Sequence, residues 1–324
     1  MNVTQARGLA ALLLGAVCIG FAPLWVRWSE TGAVATAFHR LLLALPVLAV
    51  WAARDRSAKS VPWTSADRLW TLAAGAFFAL DLAAWHLAIR FTSVANATLL
   101  ANFAPIFVTA GAWIFLREPV GTRFAAGMAV AFGGAWLLTG ASFFSGSSRA
   151  EGDVLGLITA AFYGAYQLCV ARLRRRHPSG RILFFGSLTS IPLLGFFALA
   201  LDEKILPDTA RGWCVLIGLA ATAQVFGQGL ITHGFAHLPA GYSSLVLLVQ
   251  PLVAAGAAWI LLSESMTGPQ LLGGLILLAG IVLARQGAAP LTPSPIASPS
   301  PPPDPTGSPG STDGNCAGAP LPRR

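Results

Sequence analysis

Two residues that are charged at neutral pH stand deep inside long apolar runs, where charge is costly in a membrane. Arg40 lies in run 32–53 and Asp81 lies in run 69–90. At about 1.5 Å per helical residue, Arg40 is about 12 Å from the start of its run and Asp81 about 13 to 14 Å from the end of its run. Their depths agree if the two runs are antiparallel neighbours. They either form a structural ion pair or share a water-filled cavity, where they could bind the two ends of a zwitterion.

The residues around Asp81 extend this face. Phe78 and Trp85 stand three residues before it and four after it, so all three share one side of a helix. His86 is about 100° further round that helix. A histidine can carry protons near neutral pH, which would suit proton-coupled transport. A hydrogen-bonded packing role is the alternative for His86.

Two later apolar runs carry polar faces of their own. The face in run 154–173 consists of Thr159, Tyr163, Tyr166 and Gln167. Aromatic walls with a few hydrogen-bonding groups are typical of small-molecule sites. Interfacial tyrosines are the alternative, but these lie mid-run, which favours a cavity. Gln224 and Gln228 are one turn apart in run 211–236 and either join that cavity or bond two helices together.

Composition shows which elements must position these side chains. Of 324 residues, 55% are apolar and only 10% are charged, which indicates a multi-pass membrane protein. About 20 apolar residues cross a bilayer, and ten such runs occur. They are 8–28, 32–53, 69–90, 94–116, 120–142, 154–173, 182–201, 211–236, 240–263 and 266–284.

The chain also repeats itself. The segment 105–137 matches 251–283 without a gap at nine of 33 positions, including Pro105 with Pro251 and Glu118 with Glu264. Five runs per half is an odd number, so the second half is predicted to enter the membrane inverted, as in secondary transporters. Prolines at matching positions, with Asn102 and Gln250 nearby, predict broken helices at the binding site or simply bent walls.

Smaller signals in the repeat predict packing. Glu118 and Glu264 are expected to stabilise the N-termini of the helices that follow them. Small residues four apart in run 120–142, with Gly273 and Gly280 in the last run, allow close helix contact. Packing within one chain is favoured over dimerisation, so we expect a monomer or a weak homodimer.

Basic residues predict the orientation. With the N-terminus in the cytoplasm, the cytoplasmic loops hold thirteen Lys and Arg, at positions 7, 54, 56, 59, 68, 117, 123, 172, 174, 175, 176, 181 and 285. The outer loops hold five, at 27, 90, 149, 204 and 211. Both termini are therefore predicted to be cytoplasmic. This placement also explains the net charge of +8 without nucleic-acid binding.

Local motifs add a resemblance to a known family. They are the triplet Phe38, His39 and Arg40, the stretch TSVANATLLANFAPIFV at 92–108, and the sequence Arg117, Glu118 and Pro119. With the ten runs and the duplication, they resemble the drug/metabolite transporter superfamily, in its EamA branch. The second half departs from the pattern, because Ser265 follows Glu264 where proline would be repeated. The resemblance covers 8–285.

The resemblance implies an all-α membrane protein whose ten transmembrane helices form two inverted five-helix repeats around a central cavity. The repeats are expected at 1–143 and 150–286, with a Pro-rich disordered cytoplasmic tail at 287–324 that holds 11 of the 22 prolines. The family's commonest activity implies export of small metabolites such as amino acids across the inner membrane. The tryptophans make an aromatic or bulky apolar amino acid a plausible substrate.

Three functional classes follow. The favoured prediction is a secondary exporter that works by alternating access, with protons as a candidate coupling ion. A passive channel or facilitator is the alternative, but the polar residues cluster at mid-depth instead of forming a continuous pore lining. An enzyme would need a reactive set such as HExxH or GxSxG, and the sequence contains neither. No cofactor or metal ligand set is predicted.

Overall fold

The described part of the chain is entirely helical in its regular structure. A computed structural model describes residues 3–55, 62–91, 94–139, 150–262 and 267–288. Eight helices among these residues are long and apolar enough to cross a membrane. This confirms the all-α membrane prediction, while the count of ten spans stays a prediction. The remaining two runs correspond to a 27-residue helix and a shorter apolar helix. Glu264 and the tail beyond Ala288 lie outside the described residues.

Helices form here because a backbone in hydrocarbon must satisfy its own hydrogen bonds. The first half contains α1 (Val3–Gly20), α2 (Ala22–Trp28), α3 (Ala33–Arg54), α4 (Ser65–Phe91), α5 (Val94–Ala101), α6 (Ala104–Gly111) and α7 (Thr122–Thr139). The second half contains α8 (Ala150–Arg174), α9 (Ser179–Ala200), α10 (Ala210–Leu219), α11 (Gly229–Gly234), α12 (Ala240–Val246), α13 (Val249–Leu262) and α14 (Gly268–Gln286). A π-helical segment, Ala220–Gln228, joins α10 to α11 in one rod.

The two halves break at matching places, as the prolines predicted. Between α5 and α6, the N–H of Asn102 bonds the carbonyl of Leu99 at 3.1 Å. Between α12 and α13, the N–H of Leu248 bonds the carbonyl of Leu245, also at 3.1 Å. Residues 102 and 248 are 146 positions apart, which is the offset of the sequence repeat. A proline three residues further on lacks the N–H that would continue each helix.

The packing partners also follow the repeat. The helix α1 packs against α11 and the π-helical segment, while its counterpart α8 packs against α4. Likewise α1 contacts α13, and α8 contacts α5 and α6. The contacts of the first span with the eighth and ninth are therefore repeated by the contacts of the sixth span with the third and fourth. Such an exchange is expected of a duplicated chain, and the inverted membrane orientation of the halves stays a prediction.

The tightest pairing joins α7 to α14. A Cβ added at Gly134 would lie 2.2 Å from the backbone nitrogen of Leu277, and one at Gly280 would lie 2.3 Å from that of Ala131. Both positions require glycine because another backbone occupies the space of a side chain. The small residues noted in the sequence are thus used within one chain. Large apolar side chains such as Trp113 and Trp259 remain exposed, as expected of a lipid-facing surface.

Loop contacts define two faces of the bundle. On the face where α1 begins, called here the N-terminal face, Gly8 packs against His237, and Trp63 in the loop before α4 stacks on His177 in the loop before α9. On the opposite face, Glu203 accepts a hydrogen bond from the N–H of Ala35 at 2.9 Å. Glu30 there accepts the N–H of Thr209 at 3.1 Å. Each face therefore joins the first half to the second.

The expected role of Glu118 needs one correction. Its carboxylate does meet a helix N-terminus, but that helix is α12 and not the following helix α7. Oε2 of Glu118 accepts the N–H of Ala240 at 2.8 Å, and Oε1 lies 3.5 Å from Nη2 of Arg175. The residue before Glu118, Arg117, has a left-handed backbone with φ of 57°, where the chain leaves the preceding helical segment.

Candidate functional site

A cavity of about 230 Å³ lies between the halves, away from the N-terminal face. Its rim comes from the end of α1, from α2 and from the start of α3, and α4, α5, α8, α10, α13 and the π-helical segment complete the wall. The predicted site residues on its wall are Arg40, Phe78, Asp81, Trp85, Asn102, Tyr163 and Gln228. Tyr166, Gln167 and Gln224 are not on this wall. The side chain of His86 lies outside the described residues.

Arg40 is held by the second half of the chain and not by Asp81. Its Nε donates to Oε1 of Gln224 at 3.1 Å, and its Nη2 donates to the carbonyl of Ala223 at 3.4 Å. The guanidinium carbon lies 5.7 Å from the centre of the Phe78 ring, within cation–π range. Among the described residues, Arg40 and Asp81 form no ion pair, and both line the cavity. Of the two alternatives, the geometry favours the shared cavity.

The π-helical segment explains how Arg40 is positioned. An α-helix bonds each carbonyl to the N–H four residues on, whereas a π-helix uses five and is frequent at functional sites. Gln224 and the carbonyl of Ala223 lie within this segment and both accept hydrogen bonds from Arg40. These two acceptors hold the guanidinium on the wall of the cavity.

Aromatic rings close the cavity toward the N-terminal face. Tyr166 stacks on Phe78 with ring centres 4.6 Å apart and lies 6.2 Å from the ring of Tyr163. Its hydroxyl donates to Oε1 of Gln228 at 3.2 Å. Phe78, Tyr163, Tyr166 and Gln228 are called the aromatic floor below. The floor separates the cavity from the helix ends at the N-terminal face.

The cavity wall also contains residues beyond the predicted set of site residues. Gln250 and Pro251 line it at the break between α12 and α13, beside the predicted Asn102. The duplicated proline was the signal for them. Small residues such as Gly20 and Ala37 leave the space open, and no sequence feature distinguished them from packing residues. Among the described residues, no group of three or more His, Cys, Asp or Glu could hold a metal ion.

On the far side of the aromatic floor, contacts between the two halves close the N-terminal face. Oδ2 of Asp67 lies 3.2 Å from Nε2 of His177 and 3.4 Å from Nη1 of Arg176. Trp63 stacks on His177 with ring centres 4.3 Å apart. Burial opposes ionisation of Asp67, but hydrogen bonds from Thr64 and the contact with His177 hold its pKa below the usual value. We call this group the Asp67 cluster.

Comparisons with known proteins agree with the fold. The Pseudopaline exporter CntI of Pseudomonas aeruginosa is 28% identical over 219 residues, which are 66% of this chain and 74% of that protein. A "Probable terminal-alkyne amino-acid exporter" of Streptantibioticus cattleyicolor is 27% identical over 197 residues, 59% of this chain and 64% of that protein. A solved crystal structure aligns with a TM-score of 0.70 at 16% identity, over 88% of this chain and 98% of that one, and so shares the fold.

The family model decides the class. The model of the EamA-like transporter family matches residues 6–140 and 150–286, which is most of the chain. This match confirms the resemblance drawn from the motifs and places the protein among membrane transporters, not among enzymes. The chain belongs to the EamA-like transporter family.

Proposed function

We propose that the protein is a secondary active exporter of small zwitterionic metabolites, with amino acids that carry a bulky apolar or aromatic side chain as the substrate class. One observation carries this proposal: a single cavity presents the Arg40 guanidinium, the Asp81 carboxylate and the rings of Phe78, Trp85 and Tyr163. The guanidinium suits a substrate carboxylate and the aspartate suits an ammonium group. The rings suit an apolar side chain.

Names of relatives support the direction of transport. One relative is called a pseudopaline exporter and another a probable terminal-alkyne amino-acid exporter. Both names indicate outward movement of small organic molecules. From these names we extend to this chain only outward transport and the small-molecule class of substrate. The proposed location is the inner membrane. The cavity is formed within one chain, so a monomer suffices for the proposed site.

The mechanism we propose is alternating access. The excess of basic residues in the loops on that side supports a cytoplasmic N-terminal face. The cavity then faces outward, while the aromatic floor and the Asp67 cluster close the cytoplasmic side. Opening inward requires the contact of Asp67 with His177 and that of Glu118 with Ala240 to separate, since each joins the two halves. The matching helix breaks near Asn102 and Leu248 supply places where the halves can bend.

Protons are the proposed coupling ion, and Asp81 is the acidic group on the cavity wall that could carry them. The same carboxylate would bind the substrate's ammonium group in turn, so that proton and substrate compete. Asp81→Asn separates the two roles. If Asp81 only carries protons, the variant should keep substrate exchange and lose uptake driven by a pH gradient. If Asp81 also holds the ammonium group, both activities should fall.

The test is counterflow in proteoliposomes with a panel of amino acids and related metabolites, with and without a pH gradient. A carrier accelerates uptake when substrate is loaded on the far side, whereas a channel does not. Arg40→Ala should lower exchange by about 10- to 150-fold, the equivalent of a charge-assisted hydrogen bond worth about 1.5–3 kcal/mol. Arg211→Ala, at an exposed arginine on α10, is the matched control and should exchange normally.

Two results would overturn the proposal. A correctly folded Arg40→Ala protein with undiminished exchange would leave Arg40 with a structural role only. Uptake without acceleration by internal substrate would establish the channel alternative instead.

A further inference from the structure

Two buried polar side chains beyond the aromatic floor lack hydrogen-bond partners within the described part of the chain. Gln167 is 2% exposed, and both its Oε1 and its Nε2 are unpartnered. Ser244 is 1% exposed, and its Oγ is unpartnered. Each such group costs about 1–3 kcal/mol of folding free energy. These side chains are therefore not explained by the stability of the closed conformation.

The two residues lie on neighbouring helices between the floor and the N-terminal face. Gln167 stands one turn beyond Tyr163 on the same side of α8. Ser244 is in α12 and Thr232 is in α11, and both helices pack against α8. The Thr232 hydroxyl faces that of Tyr166, which ties this group to the floor. At about 1.5 Å per residue, all three residues lie about 3 to 10 Å from the helix ends at the N-terminal face.

The contact of α8 with α11 and α12 around these three residues is called the seam below, and a charged residue, Arg174, bonds across it. Nε of Arg174 donates to the carbonyl of Thr232 at 3.0 Å, and its Nη1 donates to that of His177 at 2.5 Å. Both acceptors are backbone groups on other segments, so Arg174 joins α8 to α11 and to the Asp67 cluster. If that cluster separates, Arg174 is released and the seam beneath it can open.

We propose that Gln167, Thr232 and Ser244 form a second, uncharged polar site on the cytoplasmic half of the path, which takes the carboxylate and ammonium ends of the substrate before the floor opens. This inference rests on the proposed export function. One amide and two hydroxyls can each donate and accept, so they serve both ends of a zwitterion. Without a fixed charge among them they hold the substrate weakly, as passage requires. In the outward-facing form the seam is closed, and the polar atoms of Gln167 and Ser244 are unpaired.

Cysteine accessibility tests the opening of the seam directly. The native cysteines at positions 18, 169, 214 and 316 are replaced, and Gln167→Cys or Ser244→Cys is introduced. The cytoplasmic side of inside-out vesicles is then treated with a membrane-impermeant methanethiosulfonate. Ser243→Cys is the matched control, because Oγ of Ser243 already donates to the carbonyl of Leu238 at 3.5 Å and that residue has no part in the seam.

We expect the cysteines at 167 and 244 to react at least about tenfold faster than the one at 243, a difference of about 1.4 kcal/mol in accessibility. Equal and negligible labelling of all three would overturn the inference. The counterflow activity of the cysteine-free protein is measured in parallel. Exchange without labelling refutes only the second site, whereas labelling without exchange of any panel substrate refutes the proposed export function.

A second variant covers the case in which the cysteine proteins fold poorly. Gln167→Leu removes both unpaired amide groups, so it should unfold at a higher temperature than the wild type. It should also exchange substrate at least about tenfold more slowly, with affinity at the outer cavity unchanged within about twofold. Higher stability with unchanged exchange would show that Gln167 is only a packing residue. Ser243→Ala serves as the control for exchange.

Discussion

Adjacent glycines on α7 provide a matched pair for testing the contact between α7 and α14. A Cβ at Gly134 would lie 2.2 Å from N, 2.6 Å from Cα of Leu277 and 2.7 Å from the carbonyl oxygen of Gly273. A Cβ at Gly133 would meet no atom within 4 Å. Gly134→Ala must therefore displace backbone, whereas Gly133→Ala fills open space.

The magnitude follows from these distances. To bring a 2.2 Å contact to an ordinary van der Waals separation, α14 must move away from α7 by more than about 1 Å. Overpacking of this kind costs about 1–3 kcal/mol. Alanine gains about 1 kcal/mol over glycine in helix propensity, and both variants share that gain. Gly133→Ala should therefore stabilise the protein by about 0.5–1 kcal/mol. Gly134→Ala should be less stable than Gly133→Ala by about 1–3 kcal/mol.

The assay is reversible unfolding in mixed micelles of increasing SDS content, followed by circular dichroism, with the oligomeric state of each variant checked by size-exclusion chromatography. Equal stability of the two variants would refute the close backbone contact. If Gly134→Ala instead separated a dimer and left the unfolding of the monomer unchanged, the glycines would serve association between chains and the assignment to α14 would be wrong.

Further predictions concern the N-terminal face. Because the pKa of Asp67 is lowered, its carboxylate stabilises the fold above the unfolded value of about 3.9 and loses that effect as the pH falls through the folded value. Asp67→Asn, which loses the ionic contact with Arg176, should therefore unfold earlier than the wild type in a thermal scan at pH 7, and the gap should begin to narrow below about pH 4. A gap that is as large at pH 3 as at pH 7 contradicts this. Burial raises the pKa of Glu118, although the hydrogen bond from the Ala240 N–H and the charge of Arg175 act to lower it. Its ionised form therefore costs stability near neutral pH. Glu118→Gln, which keeps an acceptor for Ala240, should be at least as stable as the wild type at pH 7, whereas Glu118→Ala should lose about 1–3 kcal/mol by leaving that N–H unpaired. Equal loss in both variants would mean that the charge, and not the hydrogen bond, matters.

Much of the site could be predicted because each signal was local. Arg40 and Asp81 were conspicuous as charges in apolar runs, and helical spacing placed Phe78 and Trp85 beside Asp81. The repeated proline located both helix breaks, near Asn102 and near Leu248. All of these depend on residue type, spacing of three or four, or an exact offset, which are properties of the chain read alone.

The partners of these residues were not predictable in the same way. Arg40 donates to Gln224, which is 184 residues away in the sequence. Gln224 lies in a π-helical segment that no residue pattern predicted. Glu118 was expected to serve the next helix and instead serves one 122 residues further on. A hydrogen bond between distant segments depends on how helices are placed against each other, and many placements bury similar apolar area.

The sequence by itself determined the membrane class, the duplication and the set of polar residues available for transport. Hydropathy and repetition depend only on the order of residues along the chain. Only the tertiary structure decided which of those residues share the cavity. It left Gln167 beyond the aromatic floor while Tyr163, one turn away, stands on the cavity wall. The physical reason is that enclosure is a property of several helices at once, set by where backbones approach closely, as at Gly134, and where small residues leave space, as at Ala37.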